Sequence, residues 1–190
     1  MYILGDIGNS ESKVFLVNSK NKVIKNMIFP SKEINNNLLK SKFRYLVKDF
    51  NKIEKILFCS VVPKSFRLIK NFLSKNTKIR CYEIKDLKLK SLINVKVNFN
   101  QVGSDRLTNA ISLANNHKNF IILDFGTATT FDVLMKNSYS GGIIAPGVRL
   151  SLNTLADKAT LIPKINLKKI KKVIGRDTIS AVRSGFFWGY

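Results

Sequence analysis

The sequence predicts an α/β fold of two lobes, each a mixed sheet flanked by helices, on three grounds. Short apolar runs alternate with stretches of helical spacing along all 190 residues. A hairpin near the N-terminus returns 118 residues later with the same signature. At 45% hydrophobic and 24% charged residues the chain also carries enough apolar material for a packed core, which excludes wholesale disorder. The length suits one domain or two small lobes, since domains commonly run to roughly 100–200 residues.

Taken in order, Tyr2–Ile7, Ser12–Val17 and Val23–Phe29 are apolar runs parted by the turn formers Gly8-Asn9-Ser10 and Asn18-Ser19-Lys20-Asn21, so a three-stranded meander opens the chain. Helical spacing follows over Ile34–Phe50, with Leu38, Leu39, Leu46 and Phe50 near one face. Ile56–Ser60 reads as a strand, Ser65–Ser74 as a helix and Ile79–Glu83 as another short strand, while Lys85–Asn100 is the least regular part and reads as a connector. The pattern then restarts. Asp105–Asn116 is helical, Phe120–Phe125 is a buried strand, and Thr129–Met135 and Tyr139–Ile144 form a second meander. Pro146-Gly147 precede a helix through Ala156, and Thr178–Trp188 is the last.

Several classes drop out early. No apolar run approaches the roughly 18–20 residues that cross a bilayer, and the best, Phe120–Phe125, is interrupted by Asp124. The opening Met1-Tyr2-Ile3-Leu4-Gly5-Asp6 has no basic leader and reads as a folded strand. Two cysteines, Cys59 and Cys81, are too few for a disulfide scaffold and lack the paired spacing of a zinc site. The formal charge of +21 invites a nucleic-acid partner. Yet 26 of the 33 basic residues are Lys, scattered and accompanied by 20 Asn, a pattern that A/T-rich codons alone would produce. Only Lys168–Lys172 clusters, so a solvated basic surface is expected and no nucleic-acid partner.

The repeat carries chemistry. Sliding the chain by 118 residues lays Ile3–Gly8 on Ile121–Gly126 without a gap, so Asp6 meets Asp124 and Gly8 meets Gly126. Each copy is a strand ending in Asp-x-Gly, a polar turn and an apolar return strand. Chance likeness of two hairpins is the plainer alternative; internal duplication is the preferred one. Glycine lets backbone N–H groups approach a phosphate closely. Asn9, Ser10 and Ser12 add polar side chains to one turn, and Thr127, Thr129 and Thr130 to the other. A carboxylate at the strand end can hold a hydrated cation that neutralises phosphate charge. Two such corners facing one another would grip a polyphosphate.

At this point the sequence resembles the type III pantothenate kinases, members of the actin-like ATPase (ribonuclease H-like) superfamily of sugar and acetate kinases. Asp6-Ile7-Gly8-Asn9-Ser10 is similar to that family's D-x-G-N-T motif with Ser in place of Thr, and Asp124-Phe125-Gly126-Thr127-Ala128-Thr129-Thr130 to its D-x-G-T-A-x-T. Gly103-Ser104-Asp105-Arg106 resembles G-x-D-R, and Gly141–Gly147 resembles G-G-x-I-x-P-G. Ser60-Val61-Val62-Pro63 and Ile174–Thr178 followed by Ser184-Gly185 fall in the expected order, so the likeness spans the chain.

The resemblance implies a cytoplasmic homodimer that phosphorylates pantothenate at the expense of ATP, with Mg2+ and a monovalent cation, K+ or NH4+. It implies an N-terminal lobe over 1–100 and a C-terminal lobe over 101–190, the latter expected to be incomplete at its C-terminus. Asp105 is implied as the general base. Asp6, Ile7, Gly8, Asn9, Ser10, Glu11, Ser12 and Lys13 are implied as the ATP-phosphate hairpin, with Thr127 a further ATP contact. Gly103, Ser104, Asp105, Arg106 and Thr178 are implied as substrate contacts, Thr178 reaching in from the neighbouring subunit, and Asp124 as the monovalent-cation ligand. Arg106 is a fork suited to a carboxylate or a phosphate, and pantothenate offers the former. For Thr178 an N-cap of the last helix stands beside the substrate role.

Two positions depart from the family pattern. Lys96-Val97-Asn98-Phe99 stands where relatives place a pocket aromatic, so Phe99 is the expected substitute, and Lys13 replaces an apolar or small residue. The competing readings are a non-catalytic relative acting as a nucleotide- or DNA-binding accessory factor, and an actin-like kinase for another substrate.

Overall fold

The computed structural model describes residues 1–190. The chain forms two compact units, one of Met1–Phe120 with Val133–Gly141, the other of Ile121–Asp132 with Gly142–Tyr190.

The first unit is built on a five-stranded mixed sheet. β1 (Tyr2–Ile7), β2 (Glu11–Val17) and β3 (Val23–Pro30) form the expected antiparallel meander. β4 (Lys55–Ser60) and β5 (Cys81–Glu83) add in parallel on the far side of β1, giving the order β3-β2-β1-β4-β5. α1 (Asn36–Leu46) starts at an Asn35 cap whose side chain accepts the Leu38 N–H, and α2 (Pro63–Asn76) starts with proline at its first position, where no donor is needed. Both helices are amphipathic: Leu39, Phe43 and Leu46 of α1 and Ile69 and Leu73 of α2 meet Ile3, Ile7, Ile56 and Phe58 of the sheet in one core. Burying each such side chain contributes about 1.5–3 kcal/mol.

Gly5 lies opposite Phe58 in the β1–β4 ladder, and the Phe58 ring crosses the space that a Cβ at position 5 would fill. That close approach requires glycine. α1 stops at Leu46, short of the Phe50 expected from spacing, because Val47 and Asp49 turn extended and Phe50–Lys52 closes a separate 3-10 turn. The connector also holds more than a coil: three 3-10 turns and β6 (Asn94–Val95) occupy it. α3 (Ser104–Leu113) buries Ser104, Leu107 and Ala110 at spacings of three. It ends before His117, whose N–H binds Asn115 Oδ1 in the following loop.

β7 (Asn119–Phe125), β8 (Ala128–Met135) and β9 (Ser138–Pro146) make the second meander, in a sheet ordered β6-β9-β8-β7 with β6 parallel to β9. Lys136 takes a left-handed φ of 54° in the β8–β9 turn. The second unit continues through α4 (Val148–Lys158) and α5 (Thr178–Gly189). Tyr190 ties the end of α5 back, its hydroxyl donating to the Pro146 carbonyl at 3.1 Å. No helix is long and apolar enough to cross a membrane.

Candidate active site

The first corner is positioned by the central strand. Asp6 stands opposite Lys13 on β2 and opposite Cys59 on β4. Directly opposed residues share a sheet face, and alternation puts these three on the face away from Ile3, Ile7 and Phe58. The turn that follows anchors at both ends: Ile7 and Ser12 are fully buried, while Asn9, Ser10 and Glu11 form an exposed tip. The Gly8 N–H closes the turn on the Glu11 carbonyl at 3.0 Å.

α3 brings its N-terminus to the same face. Asp105 lies in its first turn, where the helix dipole favours an acid, and its Oδ1 accepts the Arg106 N–H at 2.8 Å. Gly103, the residue before the helix, leaves the room this carboxylate occupies. Val61 packs beside Gly103, and the Val61 N–H extends the β1–β4 ladder to the Ile7 carbonyl at 3.0 Å. Ser60-Val61 thus joins the Asp6 strand end to the start of α3.

Cys59 records this convergence. Its thiol donates to Asp6 Oδ1 at 3.6 Å. Burial, then the Asp6 carboxylate, push the thiol up to about 12; Asp105 acts in the same direction, and a hydrogen bond with Thr108 pulls the other way. The Asp6 carboxylate is thus the acceptor of a thiol that stays protonated. The sequence alone marks Cys59 only as one of two cysteines too few for a disulfide scaffold or a zinc site. The signal that finds it is its register: it sits one residue before the end of a strand parallel to β1, level with Asp6.

Arg106 points its guanidinium at the ring of Tyr139, 6.0 Å from the centroid, and Tyr139 is 1% exposed on β9. Phe99, half-buried in a 3-10 turn, carries Lys85 over its ring at 5.5 Å. Ser104 is buried as the first residue of α3, and its carbonyl accepts the Thr108 hydroxyl.

The second corner belongs to the second unit. Asp124, half-buried, lies one residue before the end of β7, and Gly126 and Thr127 are exposed in a turn closed by the Gly126 N–H on the Ala128 carbonyl at 2.9 Å. Gly147 braces it: its N–H donates to the Thr127 carbonyl at 3.0 Å, and a Cβ there would overlap the Gly126 and Thr127 carbonyls. The Thr129 and Thr130 hydroxyl oxygens are buried with no hydrogen-bond partner in the protein. Thr178 is the exposed first residue of α5. It is not the cap. Asp177 is, accepting the Ser180 N–H at 2.9 Å, and that bonding holds its carboxyl below the ordinary range.

The chain was compared with known proteins. The family model described as type III pantothenate kinase matches residues 2–190. A type III pantothenate kinase from Pelagibacter ubique (strain HTCC1062) is 62% identical over 190 residues, covering 100% of this chain and 77% of its own. Another from Sulfurihydrogenibium sp. (strain YO3AOP1) is 35% identical over 197 residues, covering 100% of this chain and 78% of its own. Among solved structures, a conserved protein from Campylobacter jejuni assigned to the Baf family of transcriptional activators superposes with a TM-score of 0.53 at 19% identity, over 98% of this chain and 74% of that one. A protein from Sinorhizobium meliloti assigned as a 2-dehydro-3-deoxygalactonokinase gives 0.50 at 9% identity, over 85% and 58%. These two likenesses bear on the fold alone, an α/β arrangement of mixed sheets flanked by helices. From the whole-length match and the 62% identity, the chain belongs to the type III pantothenate kinase family.

Proposed function

We propose that the chain transfers the γ-phosphoryl group of ATP to the primary hydroxyl of pantothenate, giving 4′-phosphopantothenate, the first step of coenzyme A biosynthesis, in the cytoplasm. The observation that supports the residue roles is the hydrogen bond from Cys59 to Asp6 together with the packing of Val61, two residues on, beside Gly103 at the start of α3.

In the step, the pantothenate oxygen bonds to the γ-phosphorus as the bond to the β,γ-bridging oxygen breaks. ADP leaves, and the hydroxyl proton passes to Asp105. A loose phosphoryl-transfer transition state needs alignment and charge neutralisation more than deep deprotonation, so a carboxylate can serve as this base. The Asp105 Oδ1 accepts the Arg106 N–H, which holds the carboxylate at the start of α3. Arg106, a permanently charged fork, receives the pantothenate carboxylate. Asp6, Ile7, Gly8, Asn9, Ser10, Glu11, Ser12 and Lys13 form the ATP-phosphate hairpin, and Thr127 adds a contact from the second corner.

Mg2+ keeps most of its waters and takes one or two carboxylates along with substrate phosphates. Asp6 fits that demand, and no group of three His, Cys, Asp or Glu builds a protein cage. Once bound, the ion neutralises charge on the β- and γ-phosphates. Asp124 supplies a hard oxygen suited to a monovalent cation such as K+ or NH4+. Thr178, with its hydroxyl not used as a cap, contacts substrate across a homodimer.

The test is ADP release on adding pantothenate to protein with MgATP and K+. Pantothenate-dependent turnover is expected. No turnover, together with salt-sensitive retention of DNA, overturns the kinase reading in favour of an accessory binder.

A further inference from the structure

The first corner is held by a residue outside the hairpin. Ser31 follows β3, 5% exposed, and binds two carbonyls of the turn at once: its hydroxyl donates to Gly8 O at 2.6 Å, and its backbone N–H donates to Ser10 O at 3.0 Å. Its hydroxyl oxygen also meets that of Ser12, 0% exposed, at 2.8 Å. A hydroxyl has one proton, and a carbonyl can only accept. Ser31 therefore commits its proton to Gly8, and Ser12 must donate to Ser31. Behind this pair the buried Ser65 of α2 donates to the Ser31 carbonyl at 3.3 Å.

A loop that receives phosphate must present N–H groups and turn its carbonyls away, since a carbonyl oxygen facing a phosphate repels it. We infer that Ser31 is a positioning residue for nucleotide phosphate, clamping the Gly8 and Ser10 carbonyls inward so that the turn offers its donor side to ATP. Ser12 acts through this clamp, its proton already committed. The inference rests on the reading of the hairpin as the ATP-phosphate site. It is independent of the pantothenate assignment.

Calorimetry with MgATP and with inorganic triphosphate, alongside thermal melting, tests it in the 190-residue chain. Ser31→Ala is expected to weaken both ligands roughly tenfold, the scale of one buried hydrogen bond to a binding loop. Ser31→Thr, which keeps the hydroxyl, should stay within about threefold of the parent. Ser65→Ala, which loosens Ser31 from α2 without touching the turn, should lower the melting temperature and leave both affinities unchanged. Ser31→Cys keeps the volume with a weaker donor and should fall between Thr and Ala, so the inference remains testable should the Ala variant fail to fold. Affinities that track melting temperature across Ser31 and Ser65 variants alike, or that ignore Ser31 altogether, overturn it. Gly8→Ala separates the two readings: if it leaves triphosphate binding intact, the hairpin reading falls and the clamp with it. If it weakens binding while Ser31 variants do not, only the clamp falls.

Discussion

The two Asp-x-Gly strands share a sequence signature and occupy different settings. β1 is the middle strand of its sheet, laddered to β2 on one side and β4 on the other, with Ile3 and Ile7 fully buried. β7 lies at the edge of its sheet, and its equivalents are open: Ile121 is 68% and Phe125 67% exposed. Their corners are braced differently too. The first is tied through side-chain hydroxyls of Ser12 and Ser31, whereas the second is braced by the Gly147 backbone N–H on the Thr127 carbonyl. A repeated motif therefore specifies a local turn, and the neighbours each copy acquires decide how firmly that turn is held.

The largest expected difference is chemical. Asp105→Asn, in the unit that holds the first corner, should reduce kcat about 10²–10⁴-fold while MgATP still binds, because it removes only the proton acceptor. Steady-state kinetics and nucleotide titration check this. Lost ATP binding with kcat intact at saturation would remove Asp105 from the base role.

The strand settings come next. Ile7→Ala should destabilise the protein by about 2–5 kcal/mol in urea titration, whereas Ile121→Ala, at the matching strand in the second copy, should stay within about 0.5 kcal/mol. Equal losses would mean that the two strands are equally embedded. At the corners, Gly147→Val should cost about 1–3 kcal/mol of overpacking against the Gly126 and Thr127 carbonyls. Gly8→Ala, where an added Cβ would meet the Glu11 carbonyl at 3.2 Å, should cost less in the same urea titration.

The smaller effects are those of pH. Burial raises both Cys59 and Cys81 from 9.0 to about 12. Thiols that ionise at 9.0 when unfolded and near 12 when folded favour the folded state fully below pH 9, and that contribution is lost as pH rises toward 12. Alkaline melting should show the decline, and a Cys59→Ala variant should show less of it. Asp177 is shifted the other way by its bonds to Ser180. Its support of α5 should persist above pH 3.8 and fade below, with Asp177→Ala lowering the melting temperature slightly at neutral pH.

Much of this was legible because it is local. Apolar runs and turn formers placed the meanders to within a residue or two, since strand alternation and Gly-Asn turns are written in adjacent positions. The motif carrying Asp105 was legible only through its resemblance to a family pattern. The rest depends on partners far along the chain. Nothing in the sequence around Ser31 singles it out, and only the β2–β3 pairing brings it to Gly8. Cys59 reads as core until parallel pairing sets it level with Asp6. β6 is two residues long and becomes a strand only through β9, and Thr178 was a cap candidate until Asp177 took that place with Ser180.

The aromatic ring lying across Gly5 has a further consequence. The ring fills one face of the β1–β4 pair at positions 5 and 58, while the next pair along, positions 6 and 59, turns its polar groups to the other face. A side chain at position 5 would therefore have to displace the ring, and a smaller residue at position 58 would leave a void over the glycine, directly beneath the strand that carries the acid corner.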